Sequence, residues 1–362
     1  MEHGGVLCGA ELDFSANVSP LGVPEGVLAA VRAAAETADR YPDPECRDLR
    51  AALAKEYGVP IEWILCGAGA AELIYRLCLA ERPKRALLPA PAFSEYEKAL
   101  RTSLCGEIAF FSLPAFPEER SRNEARNGVG DRERAAQSLD ELRALIGRSD
   151  AQGETLVFLC QPNNPTGLSL PRGGLKHLLR LCRDRHCRLV VDECFVPFTD
   201  DPGALTLLRE LAKYPELVIL RAFTKLYGMA GLRLGCALSS DTALLARMRV
   251  SGPPWSVSGV AQAAGLAALK EKDYVNRVRA LIASERPRVY RALLSLGLEV
   301  IPGEANFLLF RGPKGLAEKL LKKGIAIRPC GNFRGLDERC YRVCLRTREE
   351  NDRLIADLRE EL

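Results

Sequence analysis

The stretch Leu156-Val157-Phe158-Leu159-Cys160-Gln161-Pro162-Asn163-Asn164-Pro165-Thr166-Gly167 decides the fold. Its uncharged apolar run reads as a strand buried on both faces, and the prolines and glycine that follow force a tight polar turn at the strand's carboxyl end. Two further runs end the same way. Arg188 to Val191 leads into Asp192-Glu193, and Leu217 to Leu220 leads through Ala222-Phe223-Thr224 into Lys225, with Gly231-Leu232-Arg233-Leu234-Gly235 behind it. Further out, Trp63 to Cys66, Ala86 to Pro89, Ile108 to Leu113 and Leu232 to Leu238 are short apolar runs separated by amphipathic stretches. This alternation predicts an α/β fold with a large, mainly parallel sheet, whose sites lie at the carboxyl ends of the strands.

The texture divides the chain into three parts. Residues 1–40 form an N-terminal segment, with a helix begun by Pro24, expected to pack on the small domain. Residues 41–252 carry the sheet. Residues 253–362 read as a smaller α+β domain, with long helical patterns at Val260 to Lys270 and Tyr274 to Leu296, and strands at Asn306 to Phe310, Ala326 to Arg328 and Tyr341 to Leu345. Thr347 and Glu350 stand at capping-box spacing before the last helix. The segment 117–137, rich in Arg, Glu, Asn and Gly, is expected to be a solvated loop.

Charge excludes little and suggests little. The formal net charge of +4 comes from 51 basic and 47 acidic side chains, so neither nucleic acid nor a membrane surface is an expected partner. The 13 cysteines are scattered and mostly set in apolar runs, which points to a reduced, cytoplasmic setting. Cys182, His186 and Cys187, with Cys340 and Cys344 far downstream, lack a second ligand pair at zinc-site spacing, so no metal is expected. No leader or membrane-spanning run is visible.

The chemistry lies in what converges on one sheet edge. Asn164 supplies an amide, Asp192 a carboxylate, Lys225 an amine and Arg233 a guanidinium. Pyridoxal phosphate (PLP) needs this set: a lysine to bond its aldehyde, a carboxylate to keep its ring nitrogen protonated, and a guanidinium for its phosphate.

On these motifs the chain resembles the fold-type-I PLP enzymes, the aspartate aminotransferase superfamily, along nearly its whole length. The resemblance implies that Lys225 is the Schiff-base lysine, Asp192 the pyridinium partner, Asn164 the donor to the 3' oxygen and Arg233 a phosphate ligand. It further implies that Gly67-Ala68-Gly69-Ala70-Ala71 is the phosphate-binding turn at a helix N-terminus, and that Phe93 stacks on the ring. A homodimer is implied too, with Tyr41 reaching the neighbour's cofactor phosphate.

Two subgroups are similar: the histidinol-phosphate aminotransferases and the threonine-phosphate decarboxylases of cobalamin synthesis. The runs His3-Gly4-Gly5, Asp13 to Gly22, Arg40 to Asp43, Pro254 to Val257 and Cys330 to Leu336 resemble the second more closely. Phe195 stands where the aminotransferases usually carry a tyrosine, and Tyr227 also matches the decarboxylase pattern. The implied reaction is decarboxylation of O-phospho-L-threonine or phosphoserine, a lyase activity on a small phosphorylated amino acid. Arg342 is expected to take the substrate carboxylate, and Arg328, Asn17 and His3 its phosphate. The alternatives are a histidinol-phosphate aminotransferase and a weakly active partner subunit. Ala71 and Ala222 replace hydroxyl residues that usually donate to the cofactor phosphate, so weaker PLP binding is expected.

Overall fold

The computed structural model describes residues 4–5, 9–113, 116, 129–148 and 154–362, with backbone only over 129–136. The strands in chain order begin with β1 (Leu12–Asp13), β2 (Ile64–Gly67), β3 (Arg85–Ala90), β4 (Glu107–Ser112), β5 (Thr155–Cys160), β6 (Arg188–Asp192), β7 (Leu217–Ala222) and β8 (Gly235–Leu238). The C-terminal part adds β9 (Glu299–Val300), β10 (Phe307–Arg311), β11 (Ile325–Ala326), β12 (Arg328–Pro329) and β13 (Cys340–Cys344).

Seven strands form the main sheet, in the order β2-β8-β7-β6-β5-β3-β4. Leu156, Val157, Phe158, Leu159, Val190 and Val191 in its centre are at most 2% exposed. Burying a side chain of this size contributes about 1.5–3 kcal/mol, so these residues fix strand position and leave the polar turns free to serve a site. The helix Arg172–Asp184 covers the sheet through Leu175, Leu178, Leu179 and Cys182, the spacing of one helical face. Cys182 is thus a core residue.

β8 runs against both its neighbours. Ala222 at the end of β7 is paired with Gly235 at the start of β8, so residues 223–234 make one excursion over the carboxyl edge of the sheet. Gly67 at the end of β2 is paired with the same Gly235. A Cβ on Gly235 would come within 2.8 Å of Ala70 N and of the Arg221 carbonyl, so only glycine lets these segments meet. One antiparallel strand therefore gathers the Gly67 turn, Lys225 and Arg233 at one place.

The second sheet is antiparallel, in the order β12-β13-β10-β9. The expected strand over Ala326 to Arg328 is instead broken at Ile327: β11 pairs in parallel with β1, and β12 joins β13. Ile327 is 2% exposed, so burying its side chain turns the chain from one sheet to the other. The helix Glu25–Ala35 packs on the helix Gly259–Ala268, and the Ser19 and Tyr274 hydroxyls lie 2.6 Å apart. Thr347 and Glu350 form the capping box, with both reciprocal bonds present.

Two further expectations from the sequence are corrected. The strand read from Leu232 begins only at Gly235, because Ala230–Leu232 is a 3-10 turn and Arg233 has a left-handed φ of 56°. Residues 129–137 of the segment read as a loop belong to the helix Val129–Gly147, which buries Leu139, Leu142 and Ile146; 117–128 lie outside the described residues. In sequence, Leu139, Leu142, Leu145 and Ile146 follow the charged stretch that suggested a loop.

Candidate active site

A cavity of about 800 Å3 opens over the edge where β2, β5, β6 and β7 end. Asn164, Asp192, Lys225 and Arg233 line its inner part, and Asn17, Arg328 and Arg342 line it from the second sheet and the N-terminal segment. His3 lies outside the described residues, though Gly4 lines the cavity.

Asp192 is 6% exposed and held at both oxygens. Oδ1 accepts from the Cys194 backbone N–H at 3.0 Å and Oδ2 from the Tyr96 hydroxyl at 2.8 Å. Tyr96 is buried on the helix Ser94–Thr102, stacked on Phe158 and edge-on to Phe93. Burial pushes its phenol well above the usual tyrosine range, so it stays a donor. Sequence reading passed over Tyr96; its only signal there is an aromatic residue one helical turn after Phe93.

Among the described residues no cation pairs with Asp192 and no carboxylate with Lys225. Burial holds the Lys225 amine below the ordinary lysine value, with Arg342 and Arg233 adding to the effect and Cys194 and Asp192 opposing it. A lysine of this kind is neutral at lower pH and therefore more nucleophilic.

Asn164 sits in a turn that other side chains hold in place. Gln161 closes it through paired bonds with Leu170, both 2.9 Å, and Asn163 Nδ2 donates to the Pro91 carbonyl at 3.1 Å. Asn164 Oδ1 accepts from Arg342 Nη1, which leaves Nδ2 as a donor for a ligand oxygen. Arg342 Nη2 donates to the Ser15 carbonyl at 2.9 Å, and the guanidinium lies 5.4 Å from the centre of the Phe307 ring. Phe195 meets Phe307 edge-on at 5.0 Å, so the ring without a hydroxyl props the aromatic face beneath Arg342.

Arg328 and Arg342 are directly opposed in the pairing of β12 with β13, at 2% and 5% exposure. Like charges in that position repel, and burial sharpens the repulsion. Burial and Arg328 together lower Arg342 to a pKa of about 10. Arg328 donates to the Asn332 side chain at 3.0 Å and lies 5.5 Å from the Phe333 ring. Asn17 Oδ1 is buried and has no hydrogen-bond partner among the described residues. That oxygen is an acceptor, so it is the two buried guanidinium groups that suit this end of the cavity to anions.

At the other end, Ala70 and Ala71 open the helix Ala70–Glu81, whose N-cap Gly69 offers no side-chain bond to the first turn. Arg233 approaches so closely that a Cβ on Gly69 would lie 2.8 Å from its Nη2. Helix N–H groups and a guanidinium with no carboxylate partner among the described residues fit a phosphate. Gly67 and Ala68 stand behind this cup rather than in its wall; the Ala68 N–H is taken by Glu72 at 3.2 Å. Ala222 and Thr224 both line the cavity, and the Thr224 hydroxyl is a further candidate donor that the sequence reading missed. Tyr41 lies outside the cavity wall, 82% exposed, with its ring 4.8 Å from that of Trp255.

A buried carboxylate and a lysine, neither in an ion pair among the described residues, and the aromatic side chain of Phe93 thus line one cavity with a phosphate cup. These residues fit a phosphorylated aromatic cofactor with a protonated ring nitrogen and a carbonyl carbon. Among the described residues no group of His, Cys, Asp or Glu fits a metal ion, and no helix is long and apolar enough to cross a membrane.

Comparison with known proteins adds four findings. Residues 10–358 match the family model described as aminotransferase class I and II. Threonine-phosphate decarboxylase of Salmonella typhimurium is 38% identical over 357 residues, 97% of this chain and 91% of the relative. Histidinol-phosphate aminotransferase of Symbiobacterium thermophilum is 35% identical over 352 residues, 96% and 89% of the two chains. Among solved structures, histidinol-phosphate aminotransferase from Sinorhizobium meliloti, in complex with pyridoxal-5'-phosphate, superposes with a TM-score of 0.78 at 26% identity, covering 95% of this chain and 89% of that one.

Proposed function

Because the chain belongs to the aminotransferase class I and II family, we propose that it decarboxylates O-phospho-L-threonine, or a near relative such as phosphoserine, to the amino-alcohol phosphate and CO2. The cofactor is pyridoxal 5'-phosphate. When bound, it supplies an electron sink for the pair left behind as a bond at the substrate's α-carbon breaks.

The chain's own residues divide the rest of the work. Asp192, held by Tyr96 and Cys194, supplies the fixed negative charge that keeps a ring nitrogen protonated. Asn164 Nδ2 and Phe93 set the ring's place. Arg233, Thr224 and the first turn after Gly69 hold the cofactor phosphate. Lys225 in its ammonium form, made more acidic by burial, is the group that delivers a proton to the α-carbon after CO2 leaves.

The observation that carries the substrate reading is the opposed pair Arg328 and Arg342. Two buried guanidinium groups facing one cavity are stabilised by a ligand with two separated anions, as a phosphorylated amino acid has. Arg342, fixed between Asn164 and the Ser15 carbonyl, takes the carboxylate and so sets which α-carbon bond stands across the ring. Arg328 and Asn17 take the phosphate. Phe195, pressed on Phe307, favours decarboxylation over an aminotransferase reading because it cannot donate to the cofactor oxygen.

A second copy of this chain is the proposed partner. Tyr41 and Trp255, whose rings meet, form an apolar surface at 82% and 46% exposure that a monomer would leave in water. The test of the function is a product assay on phosphothreonine, phosphoserine and histidinol phosphate side by side. CO2 and an amino-alcohol phosphate from the first two support it, and amino transfer from histidinol phosphate alone refutes it.

A further inference from the structure

The loop Gly331–Leu336 joins the substrate end of the cavity to its mouth, and five of its members besides Gly331 line the cavity. At one end the Asn332 side chain accepts from Arg328 Nη2 at 3.0 Å, and the Phe333 ring lies against the same guanidinium. At the other end Arg334 leaves the small sheet's side altogether. Its Nη2 lies 3.4 Å from both carboxylate oxygens of Glu97, and its guanidinium carbon is 3.9 Å from the centre of the Phe110 ring. Glu97 belongs to the helix Ser94–Thr102 and Phe110 to β4, both part of the large sheet's layer.

We infer that Arg334 is a positioning residue for the substrate phosphate: by clamping the loop to Glu97 and Phe110 it holds Asn332 and Phe333 where they aim Arg328 into the cavity. The inference rests on the reading of Arg328 as the phosphate ligand. Arg334 itself is 53% exposed on its side chain and shares Glu97 with Arg101, so the ion pair adds little to global stability. Its effect is local. A planar guanidinium laid on an aromatic face and forked toward a carboxylate fixes direction as well as distance, which an ammonium cannot do equally well. Because the helix that presents Glu97 also carries Tyr96 at the preceding position, the clamp ties the loop to the element that holds Asp192.

The test is a double-mutant cycle in the PLP-loaded enzyme, with Arg334→Ala, Arg328→Ala and both together, read on phosphothreonine and on threonine. Arg334→Ala is expected to raise KM for phosphothreonine by roughly tenfold while leaving kcat, the threonine kinetics and the cofactor absorbance within about twofold of the parent. Calorimetric affinity for inorganic phosphate should fall in parallel. Glu97→Gln should reproduce part of the effect, and Arg334→Lys should recover part of it. In the Arg328→Ala background Arg334→Ala should add nothing. If Arg328→Ala leaves the preference for phosphothreonine intact, the reading of Arg328 fails and this inference with it. If Arg328→Ala abolishes the preference but Arg334→Ala still acts in full on top of it, or acts equally on threonine, the reading of Arg328 stands and the clamp is refuted.

Discussion

The phenol of Tyr96 donates to Oδ2 of Asp192 over 2.8 Å, from a side chain that has no exposure of its own. A hydrogen bond to a charged group contributes about 1.5–3 kcal/mol, so Tyr96→Phe should lower kcat by roughly tenfold or more and weaken PLP binding. A fluorescence titration of the apoenzyme and a rate measurement check both. Unchanged values would show that the Cys194 N–H alone orients the carboxylate.

Arg342→Lys should reduce kcat although it conserves charge. The Arg342 guanidinium bonds the Asn164 amide and the Ser15 carbonyl, and a lysine amine cannot keep both and also take the proposed substrate carboxylate from one plane. Steady-state kinetics decide it, and near-parental values would move the carboxylate site elsewhere.

The depressed pKa of Lys225 has a measurable sign. The neutral amine is the reactive form, so the rate at which apoenzyme takes up PLP should rise with pH and level off below the ordinary lysine range of about 10.4. Replacing Arg342 by Leu removes one of the charges that lower this pKa, so the plateau should move to higher pH. A profile that levels off only near the ordinary value would contradict the electrostatics described for this site.

Ala71→Thr with Ala222→Ser should tighten PLP binding, since both positions line the cavity beside the phosphate cup. Each added donor to the phosphate could contribute about 1.5–3 kcal/mol before water is counted. Equal affinities in a PLP titration would mean that Thr224 and the helix N-terminus already saturate the phosphate.

Much of this site was legible in the sequence, because strands buried on both faces announce themselves as uncharged runs and the polar groups stand where the runs stop. Asp192, Lys225 and the Asn164 turn could be read in that way. What could not be read depends on register between distant segments. The opposition of Arg328 and Arg342 exists only once β12 pairs with β13, and the break at Ile327 follows from burial that no local pattern displays. Tyr96 reaches Asp192 only after its helix has packed on the sheet, so an unremarkable aromatic at one-turn spacing was its whole signal. Thr224 stands one residue before Lys225, and only the fold shows that it lines the cavity.

The most direct measurement is CO2 release from O-phospho-L-threonine by the PLP-loaded enzyme with no 2-oxo acid present. Many turnovers are expected, with an amino-alcohol phosphate as co-product, and loss of both turnover and the cofactor's visible absorbance in Lys225→Ala. No CO2 from phosphothreonine, together with amino transfer from histidinol phosphate once 2-oxoglutarate is added, would contradict it.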